Sequence, residues 1–182
     1  MMVKLVSQDS TMNYYRLKAF IKRSMGACNP QVKCQDDDHM NKSNTNAAND
    51  AQLKVTKTAA QWQQQLSSDE YHVCRDKGTE APFSGSLLNN TAVGVYRCKC
   101  CGNQLFTSAS KFNSGCGWPS FDKEIMTGAV NYSQDNSHGM QRIEVTCSHC
   151  DAHLGHIFPD GPTDTGQRFC INSIAMDFSK QD

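Results

Sequence analysis

The chain has 182 residues, of which 38% are hydrophobic and 20% charged, enough for one folded domain with an extension. Lys and Arg together number 18, as do Asp and Glu. That balance gives no electrostatic case for binding nucleic acid or an anionic membrane, and no apolar run reaches the roughly 18 residues of a membrane helix.

Residues 1–52 differ from the rest. Asp36-Asp37-Asp38 and the Asn-rich stretch from Asn41 to Asp50 hold almost no large apolar side chains. Such a segment cannot bury enough surface to offset its ordering entropy, so a disordered tail is expected. Tyr14 to Arg23 is basic and somewhat amphipathic, which keeps organelle targeting open, but Asp9 is early and the stretch is short; no secretory signal pattern is present. Residues 53–182 are expected to form the domain.

In that region Trp62 and Leu66 lie four apart, one stripe of a helix over Ala59 to Leu66. Ser67-Ser68-Asp69-Glu70 reads as a capping box that starts a second helix, with Tyr71 and Cys74 on one face and Gly78 suited to its exit. The pattern then turns to β. Short runs at Val93–Cys98, Gln104–Phe106, Arg142–Cys147, His153–Phe158 and Arg168–Phe178 are separated by Gly, Asn, Asp and Pro.

The chain has ten cysteines. Four form the pairs Cys98-x-x-Cys101 and Cys147-x-x-Cys150. The two-residue spacing lets both sulfurs of a pair face one ion, and Gly102 relieves the turn that follows. Four thiolates would close a tetrahedron around a structural zinc, one per chain, with no position left for substrate. Two disulfides, or four ordinary buried cysteines, is the competing reading. Paired thiols of this kind favour a reducing, cytoplasmic setting. Cys100 is a weak substitute ligand, and Cys28 and Cys34 fall in the expected tail.

Cys116 and Cys170 stand apart. If Arg168 begins a strand, Arg168, Cys170 and Asn172 share one face. Arg168 would then favour the Cys170 thiolate, and Asn172 could hydrogen-bond something held at the sulfur; a small buried hydrophobe is the alternative for Cys170. Glycines flank Cys116, and Pro119 extends Trp118 so that Cys116 and Trp118 share a side. Trp118 is either plain core or an aromatic wall for a methyl group. His153 and His156 would face opposite ways on a regular strand, but a bulge at Gly155 could bring both inward, where imidazoles can move protons.

The segments GTEAPFSG (78–85), GCGWPSF (115–121), HGMQRIEV (138–145), DAHLGHIFPDGP (151–162) and RFCINS (168–173), with the two knuckles, occur in the order seen in methionine-R-sulfoxide reductases of the B type. The chain resembles that family from about Leu53 to Phe178. The resemblance implies a mainly β fold of two antiparallel sheets in a barrel-like arrangement, with short N-terminal helices and a four-cysteine zinc site. It implies that Cys170 is the nucleophile and Cys116 the resolving cysteine. Trp118, His153, His156 and Asn172 would line the substrate site, supported by Arg168 and Asp160. The implied activity is repair of oxidised proteins carrying methionine-R-sulfoxide, with thioredoxin or a similar dithiol as reductant. Cys74 stands where the family would carry an aliphatic residue; it and Cys100 are possible spare resolving thiols. A non-enzymatic zinc-binding interaction module is the rival reading, and a zinc hydrolase using the histidines would need an open metal position.

Overall fold

A computed structural model describes residues 54–181. The expectations for residues 1–52, including Cys28 and Cys34, lie outside them. Two short helices come first, α1 (Ala59–Gln65) and α2 (Ser68–Cys74). Both begin with a capping box. Thr58 and Gln61 form the first, and Ser67 and Glu70 form the expected second. A reciprocal cap of this kind offsets the poor nucleation of a seven-residue helix. Trp62, Leu66, Val73 and Cys74 turn inward and dock the pair on the core.

The exit of α2 differs from expectation. Lys77, not Gly78, takes the left-handed conformation, with φ 59°. A Cβ at Gly78 would lie 2.3 Å from the ring of the exposed His72, which would have to swing aside.

Among the described residues nine strands follow: β1 (Gly94–Cys98), β2 (Gln104–Thr107), β3 (Lys111–Phe112), β4 (Ser120–Phe121), β5 (Val130–Asp135), β6 (Arg142–Cys147), β7 (His153–Phe158), β8 (Arg168–Ile171) and β9 (Met176–Lys180). They form two antiparallel sheets, ordered β2-β1-β9 and β3-β4-β8-β7-β6-β5. The fold is therefore mainly β, as expected. The sheets face each other without closing into a barrel. Phe106 of β2 stacks on Phe121 of β4 at 4.4 Å and meets Phe169 of β8 edge-on at 5.5 Å, while Tyr96 of β1 lies 4.9 Å from Phe121. Each such ring contributes roughly 1.5–3 kcal/mol by burial.

The single run expected over Arg168–Phe178 is two strands in different sheets. The chain leaves β8 at Asn172, makes a 3-10 turn at Ser173–Ala175, and enters β9 beside β1. The sheet carrying Cys170 is thereby joined within ten residues to the sheet that ends at Cys98.

Candidate active site and metal centre

Cross-strand register builds the site. Ser133, Glu144, His156, Cys170 and Ser120 are successive partners across β5, β6, β7, β8 and β4. Directly paired residues project to the same face of a sheet, so these five form one polar row. Their neighbours Ile157, Phe169 and Phe121 form the matching apolar row on the face toward the other sheet, and Ile143 continues it in register at the end of β6. The sheet thus has one apolar face for packing and one polar face that gathers the titratable side chains.

A bulge in β7 adds the second histidine. Val145 pairs with Gly155 and Thr146 with His153, so Leu154 is the extra residue. His153 then joins His156 on the polar face, with ring centroids 5.5 Å apart. Gly155 also permits the approach of β8, since a Cβ there would sit 2.0 Å from the Cys170 carbonyl oxygen.

The two thiols meet on this face, with Cys116 Sγ 3.6 Å from Cys170 Sγ. The Ser114 hydroxyl donates to Cys116 Sγ at 3.0 Å, and Ser120 Oγ lies 3.5 Å from it. Arg168 points its guanidinium into a two-pronged pair with Asp160, both contacts 2.9 Å. Burial raises the Cys116 thiol, but hydrogen bonds from Ser114 first and then Ser120 outweigh it, and the group is brought down to about 7. Cys170 is pushed up to about 12, by burial first and then by the charge of Cys116. Arg168 does draw Cys170 downward, as its spacing suggests, but burial outweighs it. In the resting pair the first negative charge therefore falls on Cys116 and the proton stays on Cys170.

This order is open to test. Near neutral pH, limiting iodoacetamide should label Cys116 ahead of Cys170. Removing Cys116 removes the charge that holds Cys170 up, so Cys116→Ser should shift Cys170 alkylation to lower pH. Peptide mass mapping across a pH series reads both effects, and an unmoved Cys170 profile would contradict the coupling.

The histidines have different second partners. His153 Nδ1 lies 2.7 Å from Glu144 Oε1, and Glu144 is also paired with Lys77 at 2.7 Å. His153 Nε2 is buried without a partner. His156 Nε2 lies 2.8 Å from Asp135 Oδ2, which Arg142 meets at 2.7 Å. Burial lowers both imidazoles, opposed by Glu144 and by Asp135 respectively. His153 has 3% of its side chain exposed and His156 has 12%, so His156 is the more accessible.

Asn172 is 3% exposed. Its Nδ2 donates to the Leu154 carbonyl at 2.9 Å, and its Oδ1 accepts from the Glu80 N–H at 3.1 Å. Trp118 donates its indole N–H to the Glu80 carbonyl at 3.2 Å. Ser114, Ser120, Asp135, Glu144 and Glu80 were not singled out by sequence. Alternation along β4 and β6 could have flagged Ser120 and Glu144; Asp135 and Glu80 act across distances that periodicity does not encode.

The four paired cysteines lie elsewhere in the domain. Their sulfurs are all within 4.8 Å of one another, with Cys98 and Cys150 at 3.6 Å and Cys101 and Cys147 at 3.6 Å. A tetrahedral zinc with Zn–S bonds of about 2.3 Å has sulfurs about 3.8 Å apart, so the donor set and its spacing fit. Both knuckles use the same turn. Gly102 N–H donates to Cys98 O at 2.8 Å and Asp151 N–H to Cys147 O at 2.9 Å, with φ 77° at Gly102 and 54° at Asp151. Cys74 and Cys100 are buried in the same core cluster as Cys98, Cys147 and Cys150. Among the described residues no helix is long and apolar enough to cross a membrane.

A family model described as the SelR domain matches residues 66–180. The chain is 54% identical over 121 residues to a peptide methionine sulfoxide reductase MsrB of Alteromonas mediterranea, an alignment covering 66% of this chain and 85% of that one. It is 54% identical over 126 residues to the MsrB of Chromohalobacter salexigens, covering 69% of this chain and 95% of the relative. To the MsrB of Methanosarcina mazei it is 52% identical over 132 residues, covering 72% and 94%.

Proposed function

The chain belongs to the SelR-domain family of methionine sulfoxide reductases, and from that premise we propose a division of labour among its residues. The protein is an oxidoreductase that reduces methionine-R-sulfoxide to methionine, with residues 53–182 as its catalytic domain. The observation that carries the reading is the 3.6 Å approach of Cys116 to Cys170 on a face where His156 pairs directly with Cys170.

The overall first step joins a thiol and a sulfoxide to give a sulfenic acid and a thioether, with no net proton consumed. Cys170 supplies both the electron pair and the proton. Its sulfur attacks the sulfoxide sulfur, while His156 passes the proton to the sulfoxide oxygen. The oxygen transfers to Cys170, the new bond to substrate sulfur breaks, and methionine leaves. Cys170 is then a sulfenic acid, oxidised by two electrons. The Cys116 thiolate, present in substantial fraction at neutral pH because its thiol is lowered to about 7, attacks that sulfur. The S–O bond breaks, hydroxide leaves and is protonated to water, and a Cys116–Cys170 disulfide remains. An external dithiol, with thioredoxin the expected one, reduces it by exchange.

Trp118 supplies the wall against which the polarised S-methyl group rests, Asn172 orients the turn below Cys170, and His153 supports His156. Zinc is the metal proposed for Cys98, Cys101, Cys147 and Cys150; when bound it fixes the knuckles and takes no part in the redox steps. Four sulfur donors leave no open position, which argues against the hydrolase reading. Substrates are oxidised proteins, and the setting is the reducing cytoplasm.

The test is turnover of separate R and S epimers of a methionine sulfoxide peptide with a dithiol. The R epimer should be consumed, and oxidised enzyme should yield a peptide pair linked through Cys116 and Cys170 by mass spectrometry. Equal use of both epimers, or a disulfide through Cys74 or Cys100 instead, would contradict it.

A further inference from the structure

Residues 78–85 run from the helices to the Cys116 loop and to the turn that follows Cys170, and Glu80 makes most of their contacts with the site. Glu80 donates its backbone N–H to Asn172 Oδ1 at 3.1 Å. Its backbone carbonyl accepts the Trp118 indole N–H at 3.2 Å. Its carboxylate accepts two further backbone N–H groups, from Ser173 at 2.6 Å and Ile174 at 3.0 Å. Both donors belong to the 3-10 turn that follows Cys170.

A short turn leaves its first N–H groups without partners, and a carboxylate accepting two of them acts as an N-terminal cap supplied from elsewhere in the chain. The cap does more than satisfy donors. It anchors Glu80 itself, and so fixes the backbone N–H and carbonyl that hold Asn172 and Trp118. The same segment is tied to the Cys116 loop by the Phe83 N–H, which donates to Gly117 O at 2.8 Å. Its fit against the turn is close, since a Cβ at Gly85 would lie 2.2 Å from Ser173 Oγ.

We infer that Glu80 is a positioning residue for sulfoxide reduction: through its carboxylate cap on Ser173 and Ile174 it sets Trp118 and Asn172 around the sulfur of Cys170. It does not touch the reacting atoms. The inference rests on the substrate-site roles proposed above for Trp118 and Asn172.

Two rates separate positioning from loss of fold. The first is methionine formed in a single turnover by reduced enzyme without added dithiol. The second is alkylation of Cys170 by iodoacetamide, which needs the thiol but not a positioned sulfoxide. Glu80→Ala should slow single turnover by roughly 10- to 100-fold and leave Cys170 alkylation near its wild-type rate. Glu80→Gln keeps one acceptor but turns an amide group toward the Ile174 N–H, so its rate should fall between. The Trp118 indole N–H resonance, assigned with Trp118→Phe, should move in Glu80→Ala.

A wild-type single-turnover rate in Glu80→Ala overturns the inference. So does an equal fall in both rates, which would mark a merely structural role. Wild-type enzyme run alongside distinguishes the two levels: if it forms no methionine, the proposed function fails and this inference with it, whereas active wild type with an equally active Glu80→Ala removes this inference alone.

Discussion

Replacing Cys170 by serine should abolish methionine formation, with a fall of roughly four to six orders of magnitude to the background rate. The reason is electronic. Reduction of a sulfoxide requires two electrons from the attacking atom, and a serine oxygen cannot supply them as a sulfur does. The fold should survive, because Cys170 sits in the middle of β8 with its backbone paired to β7 and β4, and the substitution removes little volume. Cys116→Ser gives the informative contrast. It keeps the proposed attacking sulfur and should release one methionine per chain in a single turnover, then stall without its disulfide. The resting charges lend this pair of variants weight, since Cys116, at about 7, ionises before Cys170. Were the roles reversed, Cys116→Ser would lose the first turnover and Cys170→Ser would keep it. Quenched-flow quantification of methionine decides between them.

Much of this was legible in sequence because it is local. The Ser67–Glu70 capping box, the bounds of β6 and β7, the positive φ at Gly102 and the bulge that gathers His153 and His156 each depend on residues close together in the chain. What escaped depends on distant partners. The Arg168–Phe178 run alternates well enough to read as one strand, yet it turns at Asn172, where Glu80 from 92 residues away donates its backbone N–H to the amide oxygen and caps the turn with its carboxylate. β5 was not seen because only Val130 among its residues is buried, so an edge strand with a polar outer surface leaves little period-two signal. The direction of the Cys170 shift was misjudged for a similar reason: Arg168 is two residues away and visible, whereas the burial that outweighs it comes from the assembled sheets.

Removing the proposed zinc should cost both stability and activity, although the metal stands apart from the thiol pair. Cys98 ends β1 in the three-stranded sheet and Cys147 ends β6 in the six-stranded one. One ion held by both knuckles therefore ties the two sheets at one end of the core. The helices are fastened to the same place, with Gln65 donating to Cys100 O at 2.7 Å and Arg75 to Cys150 O at 2.9 Å. From Cys147 the constraint runs along β6 to Glu144, and across the register to His156 and Cys170. Structural zinc contributes about 10–16 kcal/mol of apparent binding energy in small domains that fold only with metal. Here an aromatic core between the sheets exists independently, so metal-free protein should retain its strands but unfold at markedly lower denaturant. Its single-turnover rate should fall as the polar row loses registry. Metal analysis should give one zinc per chain in wild type and less in Cys147→Ser, whose unfolding midpoint should approach that of chelated wild type. Chelated protein with an unchanged midpoint and full activity would mean that the knuckles hold without an ion and that the coupling from Cys147 to Cys170 does not exist.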